Sequence, residues 1–458
     1  MKTGQLTKIE KISLYLLFFE LFAGGGGRIF ELGPISIREF LFAFVILLFC
    51  LRFIVNPETR SELIHKDLQP KSATLIMSAL LIIWVGVSVL IGISHGHLLG
   101  SVITDTIRVI FVIMIIPLSY YIDKKRFGVK QLVTTLMYAA LITSLITIII
   151  SLAGKFMGNR DFYYFYKFIN GLFPGDLFFR PSRGVFYKSH FLVLFAAIIS
   201  FINLSQKKST LLENMVLVVG SISIIMSETR GLYIGFAIGI ITLILVKAVI
   251  YFFGDRESLG LSKKSFLQSV FLIILALGLT SYFFNNSTIS RFSSNDNPQE
   301  QYGNKDHEYK DHEHNESKIN DVSLNVRVRL LADSVKIVKK SAANLLLGNG
   351  YGTVIGERST GIEMTFIDIM VEQGFIGVVI WLLFSLLPLY YFFRSFLVTK
   401  RLDDVYIGLL GCVLAMLVVT NINPFLNSPI GLGFLLPVII ISSKCYFNSV
   451  AQTLGEDD

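Results

Sequence analysis

The sequence predicts an all-α polytopic membrane protein with about twelve transmembrane helices. Of its 458 residues, 53% are hydrophobic and only 16% are charged, whereas soluble globular domains carry about 25% charged residues. Apolar runs of roughly the 20 residues that a bilayer-spanning helix needs recur from one end of the chain to the other. The 39 phenylalanines and 18 tyrosines suit lipid-facing helices and the aromatic belts at membrane surfaces.

Apolar length and the polar or glycine-rich breaks between the runs define the individual spans. The first run ends in GGGG at 24–27. No small-residue cleavage site follows this run, so we expect a span rather than a cleavable signal peptide. The predicted spans lie at about 10–24, 39–56, 73–94, 102–122, 131–153, 189–205, 211–227, 231–253, 265–284, 373–395, 404–422 and 430–447.

The distribution of lysine and arginine predicts the orientation of the spans. With the N-terminus inside, the cytoplasmic connections are all basic: RFIVNPETRSELIHKDLQPK, DKKRFGVKQ, SQKKST, GDRESLGLSKK and RSFLVTKRLDD. The alternate connections SHGHLLG and NINPFLNSP contain neither lysine nor arginine. Because basic loops mark the cytoplasmic side, we expect both termini in the cytoplasm. The formal net charge of +8 therefore reflects topology and does not indicate nucleic-acid binding.

Two long segments, 154–188 and 285–372, are predicted on the outer side. The chain accordingly divides into three regions. Residues 1–284 hold nine helices and the first outer segment, 285–372 form a large extracytoplasmic loop, and 373–458 hold three helices and a cytoplasmic tail. No inner connection is long enough for a catalytic domain, and no phosphate-binding P-loop motif is present, which excludes nucleotide-driven chemistry on the inner side.

The 285–372 loop has two halves of different character. The first is polar, and the histidines of DHEYKDHEHNE (His307, His312 and His314) are interpreted as part of a solvated run rather than as metal ligands. The second half is LNVRVRLLADSVKIVKKSAANLLLGNGYG, in which apolar residues recur every three to four positions. This spacing predicts an amphipathic helix that lies on the membrane or on the bundle and ends at GNGYG. Its predicted apolar face consists of Leu331, Val335, Val338 and Ala342.

Charged residues near the span ends gather on the predicted outer side, where charge beside lipid is a candidate for function. In the short outer connections the cations are arginines, whereas the inner loops favour lysine. Because a planar guanidinium binds phosphate through two hydrogen bonds, the outer arginines point to a phosphate-bearing substrate. We interpret Arg28 and Arg38 as lipid headgroup contacts. The outer charges are Arg28, Arg38, Glu39, Asp105, Arg108, Arg180, Arg183, Glu228, Arg230, Glu363, Asp368 and Glu372.

Structural roles remain open for two pairs of these residues. Asp105 and Arg108 are three positions apart, a spacing at which helical residues of opposite charge pair with each other. Arg230 lies at the mouth of two helices that are joined by almost no loop, so its side chain cannot swing far into water. Pairing with Glu228 is the structural alternative to phosphate binding by Arg230.

Four segments together resemble one family of membrane proteins. SETRGLYIGF (227–236) resembles the S-x-(S/T)-R-G segment of the O-antigen ligase and O-antigen polymerase (Wzy-like) superfamily. The run VRVRLLADSVKIVKKSAANLLLGNGYG is similar to that family's loop of an arginine, an amphipathic helix and G-x-G-x-G. EMTFIDIMVEQGFIG (363–377) is similar to its membrane re-entering segment, and RPSRGVFYKSHFLVLF to the stretch that opens its middle helices. The motifs cover about residues 180–380, and the remaining chain agrees in hydropathy only.

The resemblance implies a GT-C-like, inverting and metal-independent glycosyltransferase at the outer face of the bacterial inner membrane. Its donor would be an oligosaccharide on undecaprenyl diphosphate, and its other partners would be membrane lipids and a chain-length regulator protein. Neither a metal, nor another cofactor, nor a nucleic acid is implied. The arginines that bind the diphosphate in the family correspond here to Arg230 and to Arg329 or Arg327, with Arg180 or Arg183 assisting.

One departure from the family's ligases favours a polymerase. The ligases carry His-Asn where this chain has Glu363-Met364, and many polymerases carry a carboxylate there. Glu363 would act as the base toward the acceptor hydroxyl or would position it. Glu228, Arg108 and Tyr351 complete the candidate substrate-binding residues. A ligase that transfers polymer to lipid A core is the nearest alternative to a polymerase.

Two transport functions are the alternatives from another class. A secondary transporter also has about twelve spans, but its charges and broken helices lie near the membrane midplane, commonly within two related halves. A flippase for lipid-linked oligosaccharides would need cations along a central cavity. In this sequence the charges gather at one side, the middles of the spans are nearly uncharged, and no internal repeat is present.

Overall fold

The computed structural model describes residues 5–27, 31–32, 35–64, 72–180, 182–206, 208–255, 262–283, 322–358 and 361–454. Arg28 and the polar part of the long loop, including the three histidines interpreted above as solvated, lie outside the described residues. The regular structure of the described part is helical, apart from two short antiparallel hairpins.

The first half of the described chain contains both hairpins, and a 3₁₀ turn at Phe111–Met114 joins its fifth and sixth helices. In the second hairpin, Leu177 pairs with Tyr187 at the base and Phe179 with Val185 near the tip. The elements are α1 (Lys8–Ala23), β1 (Glu31–Leu32), β2 (Ile35–Ser36), α2 (Ile37–Val55), α3 (Pro57–Glu62), α4 (Ala73–Ser94), α5 (Leu99–Ile110), α6 (Ile115–Tyr121), α7 (Val129–Phe156), α8 (Asn159–Leu172), β3 (Leu177–Phe179) and β4 (Val185–Tyr187).

The regular structure of the second half is helical in the part of the chain that is described. Two of its helices form part of the long predicted loop, and the rest belong to the bundle. The elements are α9 (His190–Ser205), α10 (Leu211–Met226), α11 (Arg230–Phe253), α12 (Lys263–Phe283), α13 (Val322–Val338), α14 (Ala342–Leu347), α15 (Thr365–Ser385), α16 (Leu387–Thr399), α17 (Asp404–Val419) and α18 (Pro429–Leu454).

Seven helical segments in the described chain are long and apolar enough to cross a membrane: α4, α5 with α6, α7, α11, α12, α15 and α18. The helices α9, α10 and α17 are apolar but shorter. Each predicted span overlaps one of the helices. The prediction of a helical protein with several membrane spans is therefore confirmed, while the count of twelve and the GT-C-like assignment remain predictions.

Helix α9 forms the centre of the bundle. Every residue from His190 to Ser205 is buried, and the helix packs against α7, α10, α11, α12 and α17. A helix that is apolar all round is stable only where other helices or lipid surround it. The ring of Phe191 stacks on Phe425 with centroids 4.3 Å apart, and the ring of Phe195 lies tilted against Phe434 with centroids 4.4 Å apart.

Glycines spaced by four residues fix how α11 packs. Gly231, Gly235 and Gly239 form one stripe along the helix, and small residues at this spacing let helix backbones approach closely. A Cβ atom at Gly239 would lie 2.7 Å from Ile198 of α9, and one at Gly235 would lie 2.6 Å from Val419 of α17. The stripe therefore sets the position of the first turn of α11, which begins at Arg230.

Several ion pairs lie at one end of the bundle, where they connect helices that are distant in sequence. Lys247 of α11 and Lys208 both lie 2.8 Å from the carboxylate of Asp404, the first residue of α17. In α1, Glu10 lies 2.6 Å from Arg52 of α2. This end corresponds to the predicted cytoplasmic side, and the residues of the candidate site lie at the other end, called the site end below.

The predicted span 373–395 needs correction. Helix α15 begins earlier, at Thr365, and has a kink at Gly374, whose φ of 68° and ψ of −173° are not helical. A second break separates α15 from α16, which starts at Leu387 with Pro388 in its first turn. Hydropathy placed the start of this helix too late because its first turns contain two carboxylates, Asp368 and Glu372, which are buried in the structure.

Helix α13 packs on the bundle with a face that only partly coincides with the predicted apolar face. Helix α13 is present, but Leu331 and Val335 are exposed, and Leu330 and Ser334 are buried. The buried face packs on α15 and on the segment before it. Spacing alone predicted a helix but could not choose between two apolar stripes that lie one residue apart.

The predicted headgroup contact of Arg38 is wrong. Its guanidinium is buried, lies 2.8 Å from the carboxylate of Glu20 in α1, and donates a hydrogen bond to the carbonyl of Gly25. Arg38 thus ties the start of α2 to the glycine-rich end of α1, because the glycines bring a backbone carbonyl close to the ion pair.

Candidate functional site

The turn 227–229 between α10 and α11 is a tight polar connection at the site end. Ser227, Glu228 and Thr229 are all buried, and Arg230 is the first residue of α11. Glu228 has a φ of 48°, a left-handed conformation that is uncommon for residues other than glycine. The strained backbone reverses the chain within three residues and thereby fixes the direction in which Arg230 leaves the turn.

The β3–β4 hairpin packs directly on this turn. Arg180, next to the hairpin tip, donates from Nε to the carbonyl of Ser227 at 2.8 Å and from Nη2 to the hydroxyl of Thr229 at 2.9 Å. Gly184 leaves no room for a Cβ atom, because the carbonyl of Met226 occupies that space. The structure therefore brings together Arg180 and the segment that carries Arg230, which are 50 residues apart in sequence.

Arg183 has different partners from those expected of a substrate-binding residue. Its guanidinium donates to the carbonyls of Gly154 and Met157 and to the side chain of Asn159, and it lies 4.5 Å from the ring centre of Phe162. These groups belong to the junction of α7 and α8. Arg183 thus ties the hairpin to this junction.

A second pair of candidate residues meets beside the turn 420–423, which follows α17. Nη2 of Arg327 lies 3.1 Å from Oε2 of Glu363 and donates to the carbonyl of Ile422 at 3.1 Å. The side chains of Arg327 and Glu363 are 28% and 43% exposed. Because both remain accessible, a substrate can reach this ion pair without displacing the protein core.

The structure distinguishes Arg327 from Arg329. Two residues along an α-helix correspond to about 200° of rotation, so the two side chains lie on opposite sides of α13. Arg327 faces Glu363, whereas Arg329 is exposed and forms no hydrogen bond or ion pair within the part of the chain that the structure describes. Sequence spacing left both arginines open.

Ile422 connects the two groups of residues. Its side chain packs against Gly231, where a Cβ atom would lie 3.1 Å away, and its carbonyl accepts the hydrogen bond from Arg327. Arg230 directly precedes Gly231. The turn 420–423 therefore contacts both the start of α11, beside which Arg180 lies, and the pair of Arg327 and Glu363.

The GNGYG loop (348–352) supports the kink of α15. A helix that bends at Gly374 leaves carbonyl groups of the preceding turn without their usual partners. These carbonyls accept from the backbone N–H groups of Asn349 and Gly350 and from side chains of α4. The three glycines of the loop, Gly348, Gly350 and Gly352, have φ between 78° and 87°, a conformation that favours glycine. A Cβ atom at any of them would also collide with α15, α4 or α5. GNGYG is thus a packing motif.

Tyr351 lies inside this packing and does not face solvent. Its side chain is 1% exposed, and its hydroxyl accepts a hydrogen bond from Nε2 of Gln373 at 3.1 Å. Burial raises the pKa of Tyr351 well above its usual range, and the neighbouring Glu372 adds to this effect. Tyr351 is therefore a neutral phenol that packs against α15. This buried position differs from the substrate contact expected from the sequence.

Arg108 is part of a buried cluster of charges. Asp105 does pair with it, at 3.0 Å, but Asp368 and Glu372 of α15 lie only 3.6 and 3.7 Å from the same guanidinium nitrogen. The three carboxylates are at most 1% exposed. The sequence indicates all four as outer charges and offers the pairing of Asp105 with Arg108, which is confirmed, but it does not connect this pair with Asp368 and Glu372. A signal was available, since Asp105 with Arg108 and Asp368 with Glu372 occupy helical i,i+3 and i,i+4 positions in apolar helices.

The fold and the site together describe a helical membrane protein in which several arginines and the accessible carboxylate of Glu363 lie at the same end of the bundle. No protein-family model matches this chain. The chain is similar to an O-antigen polymerase of Shigella flexneri, with 24% identity over 442 residues, which cover 95% of this chain and 95% of the relative. The similarity therefore extends over almost the full length of the chain.

Proposed function

We propose that the protein joins lipid-diphosphate-linked oligosaccharide repeat units into a surface polysaccharide. The observation that carries this proposal is that Ile422 contacts both the start of α11, which carries Arg230 and lies beside Arg180, and Arg327, which pairs with Glu363. The similarity to an O-antigen polymerase over almost the full chain supports it independently.

The reaction matches the charges of the site. An acceptor hydroxyl of one repeat unit would attack the anomeric carbon of the donor, and the bond from that carbon to the diphosphate oxygen would break. The lipid diphosphate leaves with the bonding electrons, and Glu363 takes the proton of the hydroxyl. Fixed guanidinium groups stabilise the charge that develops on the leaving diphosphate. Attack from the opposite face makes the transfer inverting, and no step requires a metal.

Each residue has a separate task in this proposal. Arg230 binds the diphosphate, while Arg180 braces the turn from which Arg230 projects and adds positive charge. Arg327, rather than Arg329, orients Glu363 toward the acceptor. Arg183, Arg108 and Tyr351 are assigned supporting contacts and no direct contact with the donor.

The lipid part of the donor needs an apolar place near the hairpin. A cavity of about 280 Å³ lies at the hairpin base, between α1, α2 and α7. Its wall includes Leu177 and Tyr187 of the hairpin and Ile142 and Ile146 of α7. We assign this cavity to part of the undecaprenyl tail, since the apolar lining matches a polyprenyl chain.

We place the site end at the outer face of the inner membrane. The connections at this end, SHGHLLG and NINPFLNSP, lack basic residues, whereas the other end carries Lys208, Lys247, Arg52 and Arg126. This asymmetry favours both termini in the cytoplasm of a bacterial inner membrane. A GT-C-like arrangement and regulation by a chain-length protein are further parts of the proposal.

Reconstitution tests the function. A strain in which this gene is deleted would accumulate the lipid-linked repeat unit, and its extracted lipid would be added to purified protein in vesicles. A ladder of products on a gel supports a polymerase. Transfer only to lipid A core would instead identify a ligase, and movement of the lipid across the vesicle without a new bond would identify a transporter.

Substitution of Arg230 tests the mechanism. Arg230→Ala should abolish the ladder while the protein stays folded and inserted, and Arg230→Lys should remain strongly impaired because lysine lacks the bidentate fork. Arg394→Ala, which removes an exposed arginine at the opposite end, serves as the matched control. Full-length polymer from Arg230→Ala would refute the assigned role of this residue.

A further inference from the structure

We infer that Arg108 and Asp368 are positioning residues for Glu363: they hold the backbone that carries this carboxylate in the place where it can reach an acceptor. The inference rests on the proposed function and adds to it, because neither residue touches the donor or the acceptor.

The first observation concerns the space beneath the segment 361–363. Gly361 has a φ of 68°, and a Cβ atom there would collide with Nη1 of Arg108. The guanidinium of Arg108 therefore packs directly against the backbone two residues before Glu363. A side chain of another shape at position 108 would leave this backbone without support.

The second observation is a hydrogen bond from the other side. Oδ1 of Asp368 accepts from the backbone N–H of Ile362 at 3.1 Å, and Oδ2 lies 3.4 Å from the amide nitrogen of Asn427. Asp368 is completely buried and sits 3.6 Å from Arg108. The residue before Glu363 is thus held by a carboxylate whose own position depends on Arg108.

The third observation links the same cluster to the GNGYG loop. Oδ2 of Asp105 accepts from the N–H of Gly352 at 2.9 Å, and the backbone carbonyl of Glu372 accepts from the N–H of Gly350 at 2.9 Å. The guanidinium of Arg108 lies 3.0 Å from the carboxylate of Asp105 and 3.7 Å from the carboxylate of Glu372. One guanidinium therefore joins α5, the loop, the first turns of α15 and the backbone before Glu363. A change at Arg108 should reach Glu363 through these direct contacts.

The expected kinetic effect follows from geometry. A displacement of about 1 Å at a reacting group lowers the rate about 100-fold, while donor affinity depends on arginines elsewhere. We expect Arg108→Gln and Asp368→Asn to lower kcat by about 10- to 100-fold and to change the KM for the extracted lipid-linked repeat unit by less than about threefold. Arg108→Lys, which keeps the charge, should recover part of kcat.

A double-substitution cycle tests whether these residues act through Glu363. If they do, Arg108→Gln should cost little further activity in a Glu363→Gln background, because the group being positioned is already absent. Equal losses in both backgrounds would overturn the inference. Arg401→Gln, at an exposed ion pair with Asp255 at the opposite end, is the matched control and should behave as wild type.

A second measurement does not depend on catalysis. Hydrogen exchange of the amides in residues 361–366 should become faster in Arg108→Gln and Asp368→Asn, whereas exchange in α9 should not change. Unchanged exchange in 361–366 would refute the inference even if activity falls. Wild-type protein that makes no ladder would refute the proposed function, yet the exchange result would still decide whether Arg108 and Asp368 hold this backbone.

Discussion

Arg327 and Arg329 offer a controlled test of which side of α13 faces the site. Arg327→Ala removes a guanidinium that lies 3.1 Å from Glu363 and 3.1 Å from the carbonyl of Ile422. Arg329→Ala removes the same side chain two residues away, from an exposed position. The two variants have the same change in charge and the same loss of volume, so they differ only in the side of the helix.

The structure separates the expected effect on stability from the effect on activity. The pair of Arg327 and Glu363 is accessible to water, and such pairs contribute about 0–1 kcal/mol to folding. Loss of the group that orients the proposed base displaces that base, and a displacement of about 1 Å costs about 100-fold in rate. We therefore expect Arg327→Ala to fold normally and to lose most of its activity. Arg329→Ala should change stability by less than about 0.5 kcal/mol and retain polymer synthesis.

Both variants would be expressed in the deletion strain, and surface polysaccharide would be separated on a gel. Thermal unfolding of purified protein would be recorded alongside, so that loss of polymer is not confused with loss of fold. Long chains from Arg327→Ala, or an equal loss from both variants, would contradict the assignment of Arg327 to the site. A fall in unfolding temperature for Arg327→Ala alone would show that its role is structural.

Two further predictions concern stability and use matched controls. Gly374→Ala should destabilise the protein by at least about 1–2 kcal/mol, because position 374 is left-handed and a Cβ atom would lie 2.5 Å from the backbone nitrogen of Gly348. Gly278→Ala, in a helical site with open space around it, should be neutral or stabilising by up to about 1 kcal/mol; equal thermal unfolding of the two variants would contradict the kink argument. Lys247→Met should lower the free energy of unfolding by about 1–3 kcal/mol because the lysine and Asp404 are both buried. Lys208→Met, from an exposed lysine on the same carboxylate, should cost about 0–1 kcal/mol, and chemical denaturation would compare them.

The sequence predicts the helices far better than it predicts the site. Apolar runs identify spans because the requirement for a long apolar segment is local to each helix. The pairing of Arg327 with Glu363 depends on the rotation of α13 about its axis, and the grouping of Arg108 with Asp368 depends on contacts between helices about 260 residues apart in sequence. Arg183 shows the same limit, since the hairpin geometry turned a plausible phosphate ligand toward the carbonyls of Gly154 and Met157.

The bend at Gly374 also explains why hydropathy placed α15 poorly. Four backbone or side-chain donors are needed to satisfy the carbonyls around the bend, and they come from α4 and the GNGYG loop: Trp84, Ser88, Asn349 and Gly350. The local sequence around Gly374 does not show which distant residues donate these hydrogen bonds. Distant residues therefore stabilise the end of the helical stretch from Thr365 to Gln373.

The position of Arg230 at the first residue of α11 is unfavourable unless an anion is near. The N-terminus of a helix carries about half a positive charge, and a cation there costs about 0.3–1 kcal/mol. The first turn of α11 contains no acidic residue, and the side chain of Thr229 makes no capping bond, since its hydroxyl donates to Ser227 and accepts from Arg180. The helix end, Arg230 and Arg180 thus concentrate positive charge at one point beside the buried Glu228. A diphosphate bound there would meet both the guanidinium groups and the helix N-terminus, which together favour an anion.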